Sequence, residues 1–206
     1  VTLTVFHFDS DGAMSSASIT KSITVSDADT YFSGTNTICF ATDGVFTGVP
    51  SGAQTVTTGD YSTAVNTYQG TGKRLLFKKG QTFSTSVHPR ITANGPGIIG
   101  AWGSGARPIV SLAANTNGIV LSSQSTPTIS DWRFMDIDAR GNGTNTDGIG
   151  FDGSINQTLM LRVRAYNMRS GAGASYSLLD YHNANGYPGH TMWDQMAFVD
   201  CDMDTV

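Results

Sequence analysis

Short apolar segments recur along the chain, each closed by Gly, Asn or Asp, and their spacing is nearly constant. Leu75 in RLLF, Ile98 in GIIG, Ile119 in GIVL and Ile149 in GIGF lie 23, 21 and 30 residues apart. A second series, Phe83, Ile109, Trp132 and Leu159, steps by 26, 23 and 27. Brief apolar runs bounded by turn residues predict strands. Two interleaved ladders of one period predict stacked coils, because each coil hides its inward side chains only by stacking on the next. The expectation is an all-β chain folded as a parallel β-helix, a solenoid. Leu75, Ile98, Ile119 and Ile149 are expected to form one inward column, and Phe83, Ile109, Trp132 and Leu159 another.

Residues 1–25 stand outside this period. Their two alternating runs flank Asp9-Ser10-Asp11-Gly12, which predicts an N-terminal β-hairpin with Gly supplying a positive φ. VTLTV, the DSDG turn and a strand ending in ITV resemble the closing hairpin of a PKD-type immunoglobulin-like domain. That resemblance covers these 25 residues and implies the end of a PKD-like β-sandwich module. Residues 26–36 read as a linker and 37–206 as the N-terminal coils of the β-helix. Because the chain stops after a coil strand, the coils are expected to continue beyond Val206. Thr37 to Ala41 predicts a short strand. Asp60 predicts an N-cap for a short helix from Tyr61 to Gln69, which places Ala64, Val65 and Tyr68 on one side and covers the open end of the stack.

Composition narrows the setting. The chain has 206 residues, 24 of them Gly, and only 14% are charged, a mix that favours strands and turns. All sixteen acidic residues are Asp. A net charge of -4 without a basic cluster argues against a nucleic-acid partner, and no apolar run is long enough to span a bilayer. The expected location is secreted or cell surface. Cys39 and Cys201 lie at opposite ends of the array, too far apart for a disulfide. MAFVDCDM aligns with WRFMDIDA, so Met196 matches Trp132, Phe198 matches Phe134, and Cys201 matches Ile137 as a small inward hydrophobe.

GKRLLFKKGQTF followed by GIIGAWGSGARPIV resembles the opening coils of right-handed parallel β-helix proteins of the pectate-lyase-like superfamily, over Gly72 to Val206. The resemblance implies a right-handed parallel β-helix with a short N-terminal capping helix, acting on or binding an extracellular polysaccharide. The same scaffold carries lyases, hydrolases, adhesins and phage tailspikes, so function must be read from a site. Asn145-Thr146-Asp147-Gly148 resembles the NTD motif of polygalacturonase-like hydrolases, and His190 falls about two coils later. Where that family has an Asp pair, this chain has Met168-Arg169. Hydrolysis needs one carboxyl group as acid and another to activate water, which ranks lyase ahead of hydrolase.

Lyase chemistry needs a base and a cation to stabilise the charge left beside a uronate carboxylate. Arg133, Arg162, Arg164 and Arg169 supply cations, and Arg162 and Arg164, two apart in LMLRVRAY, would share one face. Asp131, Asp136, Asp138 and Asp152 offer oxygen ligands of the kind Ca²⁺ takes, without an EF-hand or RTX run. Arg162, Arg164, His190 and Asp147 are the catalytic candidates, and Asp136, Asp138 and Asp152 the metal candidates. Solvated outward residues explain the same pattern. Between Leu159 and Met196 the step grows to 37, so an insertion leaves the stack. It gathers Tyr176, Asp180, Tyr181, His182, Tyr187, His190, Trp193 and Asp194. Aromatic faces stack on sugar rings while His and Asp bond hydroxyls, making Tyr176, Tyr181, His182, Tyr187 and Trp193 the substrate-binding candidates. The alternative is that they pack the insertion, and that the chain is a non-catalytic adhesin or a self-assembling structural fibre.

Overall fold

A computed structural model describes residues 2–5, 19–22, 26–114, 116, 118–122, 129–142, 147–152, 155–168, 176–181 and 193–203. The chain divides into two compact units, residues 1–31 and 32–206. In the first, β1 (Thr2–Val5) pairs antiparallel with β2 (Ile19–Ser22), Val5 opposite Ile19, and a single turn of helix, α1 (Ala28–Tyr31), follows. The predicted Asp9–Gly12 turn lies outside the described residues.

The second unit begins with β3 (Thr37–Ala41), β4 (Gln54–Thr57) and the helix α2 (Tyr61–Tyr68). Next come β5 (Lys73–Lys78), β6 (Thr82–Ser84), β7 (Gly97–Trp102), β8 (Ile109–Ser111) and β9 (Ile119–Ser122). Then follow β10 (Ile129–Met135), β11 (Asp138–Arg140), β12 (Asp147–Asp152), β13 (Ile155–Leu161) and β14 (Arg164–Tyr166). The described strands end with β15 (Tyr176–Tyr181), β16 (Trp193–Val199) and β17 (Asp202–Met203). They form three sheets, ordered β16-β13-β10-β7-β5-β3-β4, β17-β14-β11-β8-β6 and β15-β12-β9. Every pairing in these three sheets is parallel. From β7 onward the chain visits first, second and third sheet in fixed rotation, so partners in a sheet are joined through the other two rather than by hairpins. The protein is thus mostly strand, in parallel sheets, with little helix.

The inward column of the first sheet runs Ile38, Leu75, Ile99, Phe134, Met160, Phe198, each opposite the next. This corrects the expected columns. Ile98 sits opposite Arg74 and Arg133, one residue out of phase with Leu75, and Ile119 pairs with Ile149 in the third sheet. Phe83 faces Val110 rather than Ile109, and that column continues through Ala139 and Ala165 in the second sheet. Trp132 faces Gly97 and Thr158 in the first sheet, while Leu159 sits opposite Arg133 on the outward face. A side-chain period of two means that a one-residue error in phase moves a residue to the opposite face. The alignment of MAFVDCDM with WRFMDIDA does hold: Thr158 lies between Trp132 and Met196, and Met160 between Phe134 and Phe198. Cys201 packs against the main core, and both cysteines are free thiols.

At the β4 side the core is aromatic. Phe77 stacks on Phe40 at 4.9 Å between ring centroids and meets Tyr61 at 4.8 Å and Phe83 at 5.0 Å. Tyr61 comes from α2, which the Asp60 carboxylate caps by accepting from Thr63 N at 3.1 Å. The buried side of α2 carries Ala64 and Val65, with Tyr68 packed against the same cluster. Its polar side has a second task. Ser62, Asn66 and Gln69, spaced to share one helix face, bond the backbone of residues 86–93. Ser62 Oγ accepts from Ser86 N at 2.8 Å, Asn66 Oδ1 from Arg90 N at 2.7 Å, and Gln69 Oε1 from Thr92 N at 2.6 Å. Side-chain amides and a hydroxyl thereby satisfy backbone donors of this segment.

Among the described residues, seven outside glycine hold positive φ, and six fall into two registered sets. Asp131, Gln157 and Gln195 occupy one position within β10, β13 and β16; Asp136, Arg162 and Asp200 occupy the corner that leads to the second sheet. The left-handed conformation bends the chain sharply at each corner without breaking the ladder. Asp136 N still donates to Leu161 O at 3.1 Å and Arg162 N to Val199 O at 2.9 Å.

Candidate functional site

The outward side of the first sheet divides into a covered part and an open part. All five residues of β3, TICFA, are buried because residues 43–53 cover its outer face. Cys39, Ala41, Leu76 and Trp102 form a second apolar cluster under Phe46, Val49 and Ala53. Phe46 stacks on Trp102 at 6.1 Å, and Lys78 ties the covering segment down through Asp43 Oδ2 at 2.9 Å and Val45 O at 2.7 Å. The Lys78 ammonium holds the Asp43 carboxyl down at about 2. Beyond this cover the outward face continues as Met135, Leu159 and Leu161, half-buried, and Val199, exposed.

Along the corner beside that open face run two rows of alternating charge. Asp136, Arg162 and Asp200 form one row, and Asp138, Arg164 and Asp202 the other, the second fixed by β-pairing. Arg162 donates to Asp136 twice, Nε to Oδ1 at 2.6 Å and an Nη to Oδ2 at 2.9 Å. Arg164 meets Asp202 at 3.2 Å and lies over the Tyr166 ring at 4.5 Å. Arg107 joins the rows, meeting Asp138 at 3.0 Å and donating to Arg162 O at 2.6 Å. The hydrogen bonds from Arg162 hold the Asp136 carboxyl below its ordinary range. Burial pushes the Asp138 carboxyl up, against the pull of Arg107 and Arg164.

LMLRVRAY is accordingly two strands and a corner. Arg162 occupies the corner at φ 52°, Val163 is buried, and Arg164 opens β14, so both arginines still face outward. Arg133 is also engaged, with Asp131 at 2.7 Å. The candidates therefore separate. Arg162, Arg164, Asp136 and Asp138 come together as ion pairs. Asp147 and Asp152 open and close β12 in the third sheet, Tyr176 and Tyr181 open and close β15, and Trp193 opens β16. His182, Tyr187, His190 and Arg169 lie outside the described residues. Among the described residues no three His, Cys or Asp side chains group as a metal site. No described helix is long and apolar enough to cross a membrane.

Chemically, the rows offer exposed carboxylate and guanidinium edges suited to hydroxyl-rich ligands, but each arginine is already committed to an aspartate. A guanidinium held in that way is a weaker electrophile for a second carboxylate. Sequence reading missed the alternation, although its signal is plain: MDIDA, LRVRA and VDCDM repeat an x-charge-x-charge pattern in which only the sign changes. No family model matches the chain, and neither a curated protein nor a solved structure matches it.

Proposed function

We propose that residues 37–206 are coils of a right-handed parallel β-helix in a secreted or cell-surface protein, and that this module binds an extracellular polysaccharide without cleaving it through these coils. The rotation of the chain through three parallel sheets, with left-handed corners in register, supports the solenoid. Crossover connections between parallel strands are right-handed in nearly all proteins, which supports the hand. The antiparallel β1–β2 pair is what the closing hairpin of a PKD-like module would contribute.

One observation carries the choice of binding over chemistry: Arg162, Arg164 and Arg133 each stand in an ion pair with an aspartate. A lyase would need one of them free to meet the substrate carboxylate. The expected insertion is narrower than the sequence suggested, since Tyr176 and Tyr181 belong to β15 and Trp193 to β16, both paired in the sheets. The proposed contact region is the stretch from β15 to β16, with Tyr176, Tyr181, His182, Tyr187, His190 and Trp193. Among the described residues no three His, Cys or Asp side chains group to hold Ca²⁺. The test is retention on a panel of immobilised acidic polysaccharides, run beside an assay for absorbance from unsaturated products. Retention without new absorbance, weakened by Tyr181→Ala and His190→Ala, is expected. New absorbance would restore the lyase. Neither signal would leave the structural-fibre reading, which the alternating charge rows favour as a device for holding coils together.

A further inference from the structure

The outward face of the second sheet carries a further row, beside the charge rows but of different make. In β8, β11 and β14 the middle residue is buried and its two neighbours face outward, so Ser111, Arg140 and Tyr166 lie side by side in register. Paired strands stand about 4.8 Å apart, close enough for one ligand to bridge neighbouring members of the row. Arg140 differs from the other arginines of these strands and corners. Arg107, Arg133, Arg162 and Arg164 each meet an aspartate. Among the described residues Arg140 has no carboxylate partner and a single side-chain hydrogen bond, from an Nη to the neutral Ser111 Oγ at 3.2 Å.

That guanidinium is half-buried, so it is held in place while most donors of its planar fork are unspent. A cation in this state favours an oxyanion, which it can hold through two parallel hydrogen bonds. Asp138, two residues back on the same strand, already meets Arg107 at 3.0 Å. On the other side the Arg164 guanidinium lies over the Tyr166 ring at 4.5 Å and steadies it. We propose that Ser111, Arg140 and Tyr166 form a subsite for an oxyanion on a hydroxyl-rich ligand, the carboxylate or sulfate of an acidic sugar. Arg140 takes the anion, and the Ser111 and Tyr166 hydroxyls bond the hydroxyls beside it. The subsite lies on a different sheet from β15 and rests on the glycan-binding reading above. It retains its ligand without cleaving it, because proton abstraction needs a base and the one carboxylate of β11 is spent on Arg107.

The test titrates the whole 206-residue chain with glucuronate, glucose 6-sulfate, glucose and acetate, following the Arg140 Nε–H and Tyr166 ring signals by nuclear magnetic resonance. Glucuronate or glucose 6-sulfate should shift both signals saturably, and whichever saturates at lower concentration names the anion. Glucose should shift neither. Arg140→Gln should abolish the Tyr166 response, and Arg140→Lys, which keeps the charge but loses the fork, should restore only part of it. Since Arg140 has one side-chain bond to lose, both variants should melt close to the native chain. On the polysaccharide panel Arg140→Gln should weaken retention at least ~10-fold, the loss expected when a charged hydrogen-bonding group is removed. Absence of a saturable shift, or a response to acetate equal to that to the sugar acids, overturns the subsite. So does retention that Arg140→Gln leaves unchanged while Tyr181→Ala weakens it, an outcome that spares the glycan reading. Absence of any retention by the native chain overturns the glycan reading instead, and a saturable Arg140 shift with the sugar acids would still support the subsite.

Discussion

Arg162 holds Asp136 with two hydrogen bonds between neighbouring strand corners, at 2.6 and 2.9 Å, from a backbone corner at φ 52°. The pair adds a side-chain link between two corners whose backbones already bond, Asp136 N donating to Leu161 O at 3.1 Å. Asp136→Asn keeps the shape and removes the charge, and should cost about 0.5–1 kcal/mol at neutral pH, since the pair is partly exposed and screened. The folded state lowers the Asp136 carboxyl from its ordinary value. Its contribution is therefore present above the unfolded value and lost as pH falls through the lower folded one. Urea unfolding at neutral pH and in the acid range should show the variant's penalty shrinking on acidification. A penalty that stays constant would mean the charge is irrelevant.

Asp138, two residues on, should behave in the opposite sense. Burial raises its carboxyl despite Arg107 and Arg164, and one oxygen is buried without a well-aligned hydrogen bond. A raised carboxyl binds its proton more tightly when folded, so stability is greatest below the unfolded value and falls as pH rises through the folded one. Asp138→Asn should therefore be neutral or stabilising near pH 7, with the gain fading in acid. The two variants, unfolded side by side, should show pH dependences of opposite sign.

Gly97 and Trp132 are locked together by space. A Cβ on Gly97 would meet the Trp132 ring at 2.6 Å, and that ring is fully buried with its indole N–H donating to Ala93 O at 2.8 Å. The ring cannot swing aside without losing that bond and the contacts of the core. Gly97→Ala should cost roughly 1–3 kcal/mol through overpacking, seen as a lower denaturant midpoint at unchanged slope. Gly97→Ala with Trp132→Leu should fall short of the sum of the single losses, because the second change removes the clash that the first creates.

These residues mark how far the sequence could be read. Recurring segments such as RLLF and GIIG were legible because turn residues punctuate them, and the parallel, mostly strand architecture followed. Phase was not legible: RLLF and TICFA are apolar on both faces, since β3 and β5 bury an outer cluster as well as the core, so alternation gave no sign of which residue points inward. Helix α2 was legible from Asp60 and its apolar side, whereas the role of Ser62, Asn66 and Gln69 in holding residues 86–93 appears only once the chain is folded. At the candidate site, Arg162 and Arg164 were found by their chemistry and Asp136 and Asp138 by theirs. Their meeting depends on strand register, which spacing of 26 residues suggests but only the strand pairing fixes. Asp131, Gln157 and Gln195 carry no signal for a left-handed backbone beyond sharing one position in three strands.

Tyr61 offers a test of the aromatic end of the core. Its ring sits 4.8 Å from Phe77 and is completely buried, yet the phenol oxygen has no hydrogen-bond partner among the described residues. Burial raises the phenol well above its ordinary value, which favours the neutral hydroxyl. An unpaired buried hydroxyl carries a desolvation cost of about 1–3 kcal/mol. Tyr61→Phe removes that cost while keeping the ring, its contacts with Phe77 and the first turn of α2. The variant should be more stable than the native chain by up to about 1 kcal/mol, raising the melting temperature without changing the far-ultraviolet circular dichroism. Tyr61→Ala, which deletes the ring as well, should instead lose about 3–5 kcal/mol by opening a cavity beneath the helix. A loss of stability in Tyr61→Phe would show that the phenol oxygen is bonded in the native protein.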